Sequence, residues 1–168
     1  MNPAQPVLLL LAEAEGSPGV PLDAALGLAD TWRGESGGRV ELWGAAESLA
    51  PGAGRADAMN ALVGMQPGAR LWLALCSALA KGAQPLLWHV SAASVGAGDL
   101  CRARERMTQH DLVLGLGANG ECVLLGLTHA VPELFAGWSV RESVAEALRA
   151  RARQRGVPMT EFVLDGKV

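Results

Sequence analysis

Pro85-Leu86-Leu87-Trp88-His89-Val90-Ser91 is the strongest strand candidate in the middle of the chain, and the small residues Ala92 to Gly98 follow it. Taken as the central strand of an open sheet, it feeds a turn of Ser, Ala and Gly at its carboxyl end. It also brings a polar ring, His89, to the place where open α/β sheets build their sites.

The flanking sequence supports that sheet. Val7 to Leu11 is a short continuous apolar run, as expected of a strand buried on both faces. Leu22, Ala25, Leu26 and Ala29 share one helical face over residues 22–33, Trp32 extends it, and Gly34 is the expected stop. Arg39 to Trp43 alternates polar and apolar after the Gly37-Gly38 turn, a strand pattern. Residues 6–43 thus read as strand, helix, strand, the βαβ unit of a parallel sheet. Residues 45–54 read as a loop or short helix. Residues 55–65 and 70–81 read as two helices around Gln66-Pro67-Gly68, the second apolar nearly all round and so predicted to be buried.

Beyond the central strand, Asp99 is the expected N-cap of a helix from Leu100 to about Gln109. Gly115, Gly117 and Gly120 spell GxGxxG, but a second apolar run opens at Glu121 where a dinucleotide site needs a helix. Asn119-Gly120 between two apolar runs predicts a hairpin. Ser139 to Glu142 is a capping box for a helix to about Arg155, with Val140, Val144 and Leu148 on its apolar stripe. Residues 161–164 form a last, short edge strand. The expected fold is a single α/β domain. A mostly parallel sheet flanked by helices forms its core (residues 6–117), and an added β-hairpin and C-terminal helix extend it (residues 111–168).

Composition narrows the function classes. Half of the 168 residues are apolar, which fits a folded core, and the net charge of −3 gives no reason to expect nucleic acid. Residues 1–100 hold five basic and nine acidic side chains, whereas residues 101–168 hold nine basic and eight acidic. That asymmetry favours contacts with a protein partner or a second copy, or else marks two solvated faces. No run approaches the roughly 18 apolar residues of a membrane helix, so no membrane partner is expected. Three cysteines without a CxxC pair fit a reducing cytoplasm, and the alanine and glycine richness fits a GC-rich bacterial genome.

The candidate ligand-binding residues sit near the predicted strand ends. They are His89, Ser91 and Ser94, with Glu13 and Glu15 after the first strand and Glu47 after the second. A histidine near carboxylates suits acid–base work near neutral pH; the plainer alternative is a half-buried ring with one backbone partner. Cys101, near a helix start with Arg102 and Arg104 close by, is the best candidate for a reactive thiol. Cys76 falls among leucines and Cys122 in a strand, both core settings. His110, Cys122 and His129 match no closed zinc spacing, so neither a metal nor a cofactor is expected.

Three stretches resemble the DsrE/TusD-like sulfur-relay family over residues 6–117. Residues 6–16 with Asp23 to Ala29 are similar to its first strand, loop and helix. Residues 39–49 resemble its second strand and turn, and Leu87 to Ala93 resembles its third; residues 111–114 look like its next strand. In this register His89 stands where active members carry a persulfide-forming cysteine, and no arginine pair follows. The resemblance implies the fold and a habit of forming oligomers. The first expectation is therefore a non-catalytic or divergent subunit that binds a partner protein or small ligand near His89. A sulfur-transfer enzyme using Cys101, or a protein adaptor, are the alternatives.

Overall fold

The computed structural model describes residues 4–12, 22–62, 67–90, 95–136 and 143–165. One seven-stranded sheet runs in the order β3-β2-β1-β4-β6-β5-β7. Its strands are β1 (Pro6–Ala12), β2 (Arg39–Gly44), β3 (Ala58–Ala61), β4 (Gln84–His89), β5 (Leu112–Leu116), β6 (Cys122–Leu127) and β7 (Met159–Val163). Strand β1 pairs in parallel with both β2 and β4, and β7 pairs in parallel with β5. Strand β6 runs antiparallel to both its neighbours, β4 and β5.

Period-two alternation sends the leucines of β1 into two cores. Leu8 and Leu10 pack beneath α1 (Leu22–Ser36) and α4 (Ala97–Arg106), meeting Ala25, Leu26, Ala29, Trp32, Leu100 and Ala103. Val7, Leu9 and Leu11 face α3 (Pro67–Ala80) and α5 (Val144–Arg155), meeting Leu71, Ala74, Leu75, Leu148 and Ala152. The result is a helix–sheet–helix sandwich, which is why β1 reads as an unbroken apolar run.

Several expectations need correcting. Helix α1 passes through Gly34 and ends at Gly37, whose φ of +65° is open to glycine at little cost. The helix expected over residues 55–65 is instead strand β3 at the sheet edge. Asp57 starts it by donating its N–H to Val40 O and accepting the Val40 N–H on Oδ2, both at 2.7 Å. Those two bonds start the ladder on β2, and ladder pairing overrides a weak helical pattern. Helix α3 is less enclosed than its composition predicts, since Leu73 is 42% exposed. Asp99 lies inside α4, not at its N-cap: its Oδ2 accepts the Gly96 N–H and its Oδ1 accepts the Asp165 N–H. Glu41, a polar position of the alternating β2 strand, is 1% exposed, and its Oε1 accepts from Arg39 at 3.0 Å and Lys81 at 3.3 Å.

The hairpin is present, closed by Gly120 with φ +79° and by Gly117 N–H donating to Glu121 O at 2.9 Å. Its glycines lead into a strand, so no helix N-terminus stands there to meet a pyrophosphate. It is not an appendage: β6 lies between β4 and β5 within the sheet. Of the last helix, Ser139 to Glu142 lie outside the described residues, and Ser143 occupies the N-cap position of α5.

Strand β7 is an edge, and arginines from α4 cover it. Pro158 O and Leu164 N bond to β5, so by alternation the carbonyls of Glu161 and Val163 point away from the sheet. Arg106 donates to Glu161 O at 3.1 Å and Arg102 to Val163 O at 3.3 Å. Both guanidinium groups also lie over the Phe162 ring, 5.2 and 5.3 Å from its centroid. Capping outward carbonyls blunts an edge against strand addition. Joint replacement of Arg102 and Arg106 by alanine is expected to produce concentration-dependent self-association. Light scattering after size exclusion checks it, and a size unchanged from the parent protein at every concentration would sink the idea.

Candidate functional site

The chain runs outward from β1 to β2 and β3, then crosses back to place β4 on the other side of β1. The crevice at the carboxyl ends of β1 and β4 is therefore a topological switch point, where open α/β sheets bind ligands. The ladder fixes its geometry: Leu11 pairs with His89, and Val90 N–H donates to Leu11 O at 3.0 Å.

A cavity of about 110 Å³ lies at this point. Leu11 from β1, with Leu87 and His89 from β4, forms one side. Cys122, Val123 and Leu125 of β6 form another, because β6 runs antiparallel and so begins where the parallel strands end. Arg70 and Leu71 from the first turns of α3, and Val144 from the start of α5, complete the lining. Among the described residues, the polar side chains in this lining are Arg70, His89 and Cys122. Burial pushes the Cys122 thiol up to about 12, and its Sγ donates to Leu124 O at 3.4 Å. It is a neutral thiol at pH 7, not a nucleophile.

His89 stands where the sequence predicts, on the wall of a cavity. Ser91, Ser94, Glu13 and Glu15 lie outside the described residues, and Glu47 falls on the short helix α2 (Ala46–Leu49). Cys101 is exposed on α4, across the sheet from α3, and its Sγ faces Glu35 Oε2 at 4.0 Å. A carboxylate, not a cation, is the neighbour its sulfur meets. The structure therefore does not bring Cys101 and His89 together. Sequence reasoning missed Arg70, Cys122 and Val144. The pairing of β6 with β4, which delivers Cys122 to this edge, leaves no mark on local pattern.

His129 belongs to a separate groove at the amino ends of the strands, which Cys76, Gln84 and Thr128 also line. There Asp111 Oδ1 accepts from Thr128 Oγ1 at 2.9 Å and lies 3.4 Å from His129 Nδ1. Cys122 and His129 thus sit at opposite edges of the sheet. Among the described residues no three His, Cys, Asp or Glu side chains form a group able to hold a metal. No described helix is long and apolar enough to cross a membrane.

The fold defined by this sheet is a helix–sheet–helix α/β fold with one antiparallel strand inside an otherwise parallel sheet. No protein-family model matches the chain, and no curated protein does. Among solved structures, it is similar to a provisionally assigned nucleotide-diphospho-sugar transferase from Desulfovibrio desulfuricans G20. The TM-score is 0.73 at 14% identity, over 95% of this chain and 80% of that one. It is also similar to Rv0371c from Mycobacterium tuberculosis H37Rv, with a TM-score of 0.61 at 16% identity over 98% of this chain and 91% of that one. A structure of Rv0371c in complex with manganese matches over the same shares, with a TM-score of 0.57 at 16% identity. At this identity the likeness speaks for the fold.

Proposed function

We propose that this protein is a divergent, ligand-binding member of its fold, taking a small ligand at the crevice beside His89. The observation that carries the reading is the cavity at the switch point, walled by side chains from β1, β4, β6, α3 and α5. Pockets built by several elements at this position are the usual ligand sites of α/β sheets. The solved neighbours add that the fold is used by a protein assigned to sugar-nucleotide transfer.

Manganese, present in one neighbour, does not fit the described residues here. A divalent ion wants carboxylate oxygen or imidazole ligands, and this cavity offers a guanidinium, one imidazole and a protonated thiol.

The test is a cavity-filling variant. Ligand-detected NMR with a library of small acids, amines and neutral molecules should give hits on the parent protein. Val144→Phe, which fills the cavity from the start of α5, is expected to lose at least tenfold in affinity for them. Equal binding of every hit to parent and variant would remove the cavity as the site.

A further inference from the structure

We infer that the groove at the amino ends of the strands is a second binding site, selective for a primary ammonium ion with an apolar body, of the kind of an arylalkylamine. It does not depend on the crevice beside His89. Gln84, which lines the groove, opens β4, and His89 closes the same strand at its other end.

The groove has a volume of about 410 Å³. On the scale in which benzene fills a cavity of roughly 150 Å³, that is room for about sixteen non-hydrogen atoms. An arylalkylamine therefore fits with space left for water around its charge. Leu79, Ala80, Ala83 and Ala130 give the body of such a ligand an apolar surface to lie on.

The charges around the groove have one sign. Among the described residues no Lys or Arg lines it. Lys81, which directly follows α3, instead holds its Nζ on Glu41 Oε1 at 3.3 Å. The last turn of α3 has no basic residue, so the partial negative charge of its terminal carbonyls is left uncompensated there, where Leu79 and Ala80 meet the groove. Asp111 adds a full negative charge behind Thr128 and His129.

The hydrogen-bonding groups agree with the charge. Thr128 Oγ1 gives its proton to Asp111 Oδ1 at 2.9 Å, so towards the groove it can only accept. His129 Nδ1 lies 3.4 Å from Asp111 Oδ1 and 3.3 Å from Thr128 Oγ1, which places the proton of the neutral ring on Nδ1. Nε2 is then left as an acceptor. Gln84 can both give and accept, and Cys76 adds a weak donor. A cleft with acceptors in its wall and negative charge behind them draws a cation that carries N–H donors. The ammonium group donates to His129 Nε2 and Thr128 Oγ1, and its apolar body lies against the end of α3.

The experiment titrates the full chain at pH 8, by NMR, with phenethylamine, its neutral counterpart 2-phenylethanol, and phenylacetate. Phenethylamine is expected to shift the amides of Thr128, His129 and Ala80 and to bind about fivefold more tightly than the alcohol, the range of one exposed charge interaction. Asp111→Asn should bring the amine to within about twofold of the alcohol while leaving the alcohol unchanged. Ala80→Lys, at an exposed helix end that tolerates a cation, should weaken the amine by a similar factor. Val144→Phe, at the opposite edge of the sheet, should leave amine binding unchanged. Equal binding of amine and alcohol would overturn the ligand class, and tighter binding of phenylacetate would overturn the sign of the site. An amine that shifts none of the groove amides would remove the site itself. A phenylalanine-led tripeptide amide that outcompetes phenethylamine would overturn the inference in favour of a protein N-terminus.

Discussion

At pH 7, unfolding the protein is expected to speed alkylation of Cys122 about a thousandfold. The thiolate is the reacting species, and burial raises this thiol from its ordinary 9.0 to about 12. About one thiol in 10⁵ is then ionised in the native state at pH 7, against about one in 10² once unfolded. Intact-mass kinetics with limiting iodoacetamide, with and without urea, measures the ratio. A native rate within tenfold of the unfolded rate would mean the thiol is not desolvated. The same difference has a sign in stability. Below pH 9 both states hold the proton and nothing is lost. Above it the unfolded thiol ionises while the native one does not, so stability falls as pH rises towards 12, by up to about 1.4 kcal/mol per pH unit. Cys122→Ala should flatten that part of the alkaline melting curve.

Trp88→Ala is expected to cost about 3–5 kcal/mol. The ring is 1% exposed beneath α1 and α4, and no large replacement is at hand to fill its volume. For a chain of 168 residues that corresponds to a fall in Tm of roughly 8–15 °C. Trp88→Phe should behave differently. The indole N–H is buried with no hydrogen-bond partner, so the native state already carries the cost of desolvating it. Phenylalanine gives up part of the volume and removes that unpaired donor, and its net cost should stay within about 1 kcal/mol. Thermal and urea unfolding of both variants measure the contrast. A phenylalanine as damaging as the alanine would show that the indole N–H is bonded after all.

Local pattern in the sequence carries β1, α1, β2, β4, the β5–β6 hairpin and the β7 edge, because each rests on apolar spacing or turn chemistry within one short segment. What it does not carry is anything decided by a distant neighbour. Residues 58–61 form a strand because Asp57 locks onto Val40, a contact across the sheet that helical spacing conceals. Glu41 is buried because Lys81, at the far end of α3, reaches back to it. The site divides in the same way. His89 is legible because it ends an obvious strand. Arg70 and Cys122 reach it only through the stacking of α3 and the pairing of β6 with β4, and neither leaves a local trace.

That reversed strand also sets a timetable. Strand β4 is bounded on one side by β1 and on the other by β6, through Leu86–Gly126, Leu87–Leu125 and Trp88–Leu124. During synthesis β1, β2 and β4 emerge first and can pair at once, but the far edge of β4 stays bare until the hairpin has been made. At roughly 5–20 residues per second, the stretch from His89 to Leu127 takes about 2–8 s to appear. Throughout that interval the nascent chain presents an unpaired, leucine-rich edge, open to capture by another chain. Strands β5 and β7 can join the sheet only through β6, so this late section docks onto the middle of the molecule before β7 completes the rim. A ribosome that stalls between these two strands would leave a half-sheet, and that half-sheet is the species chaperones would have to shield.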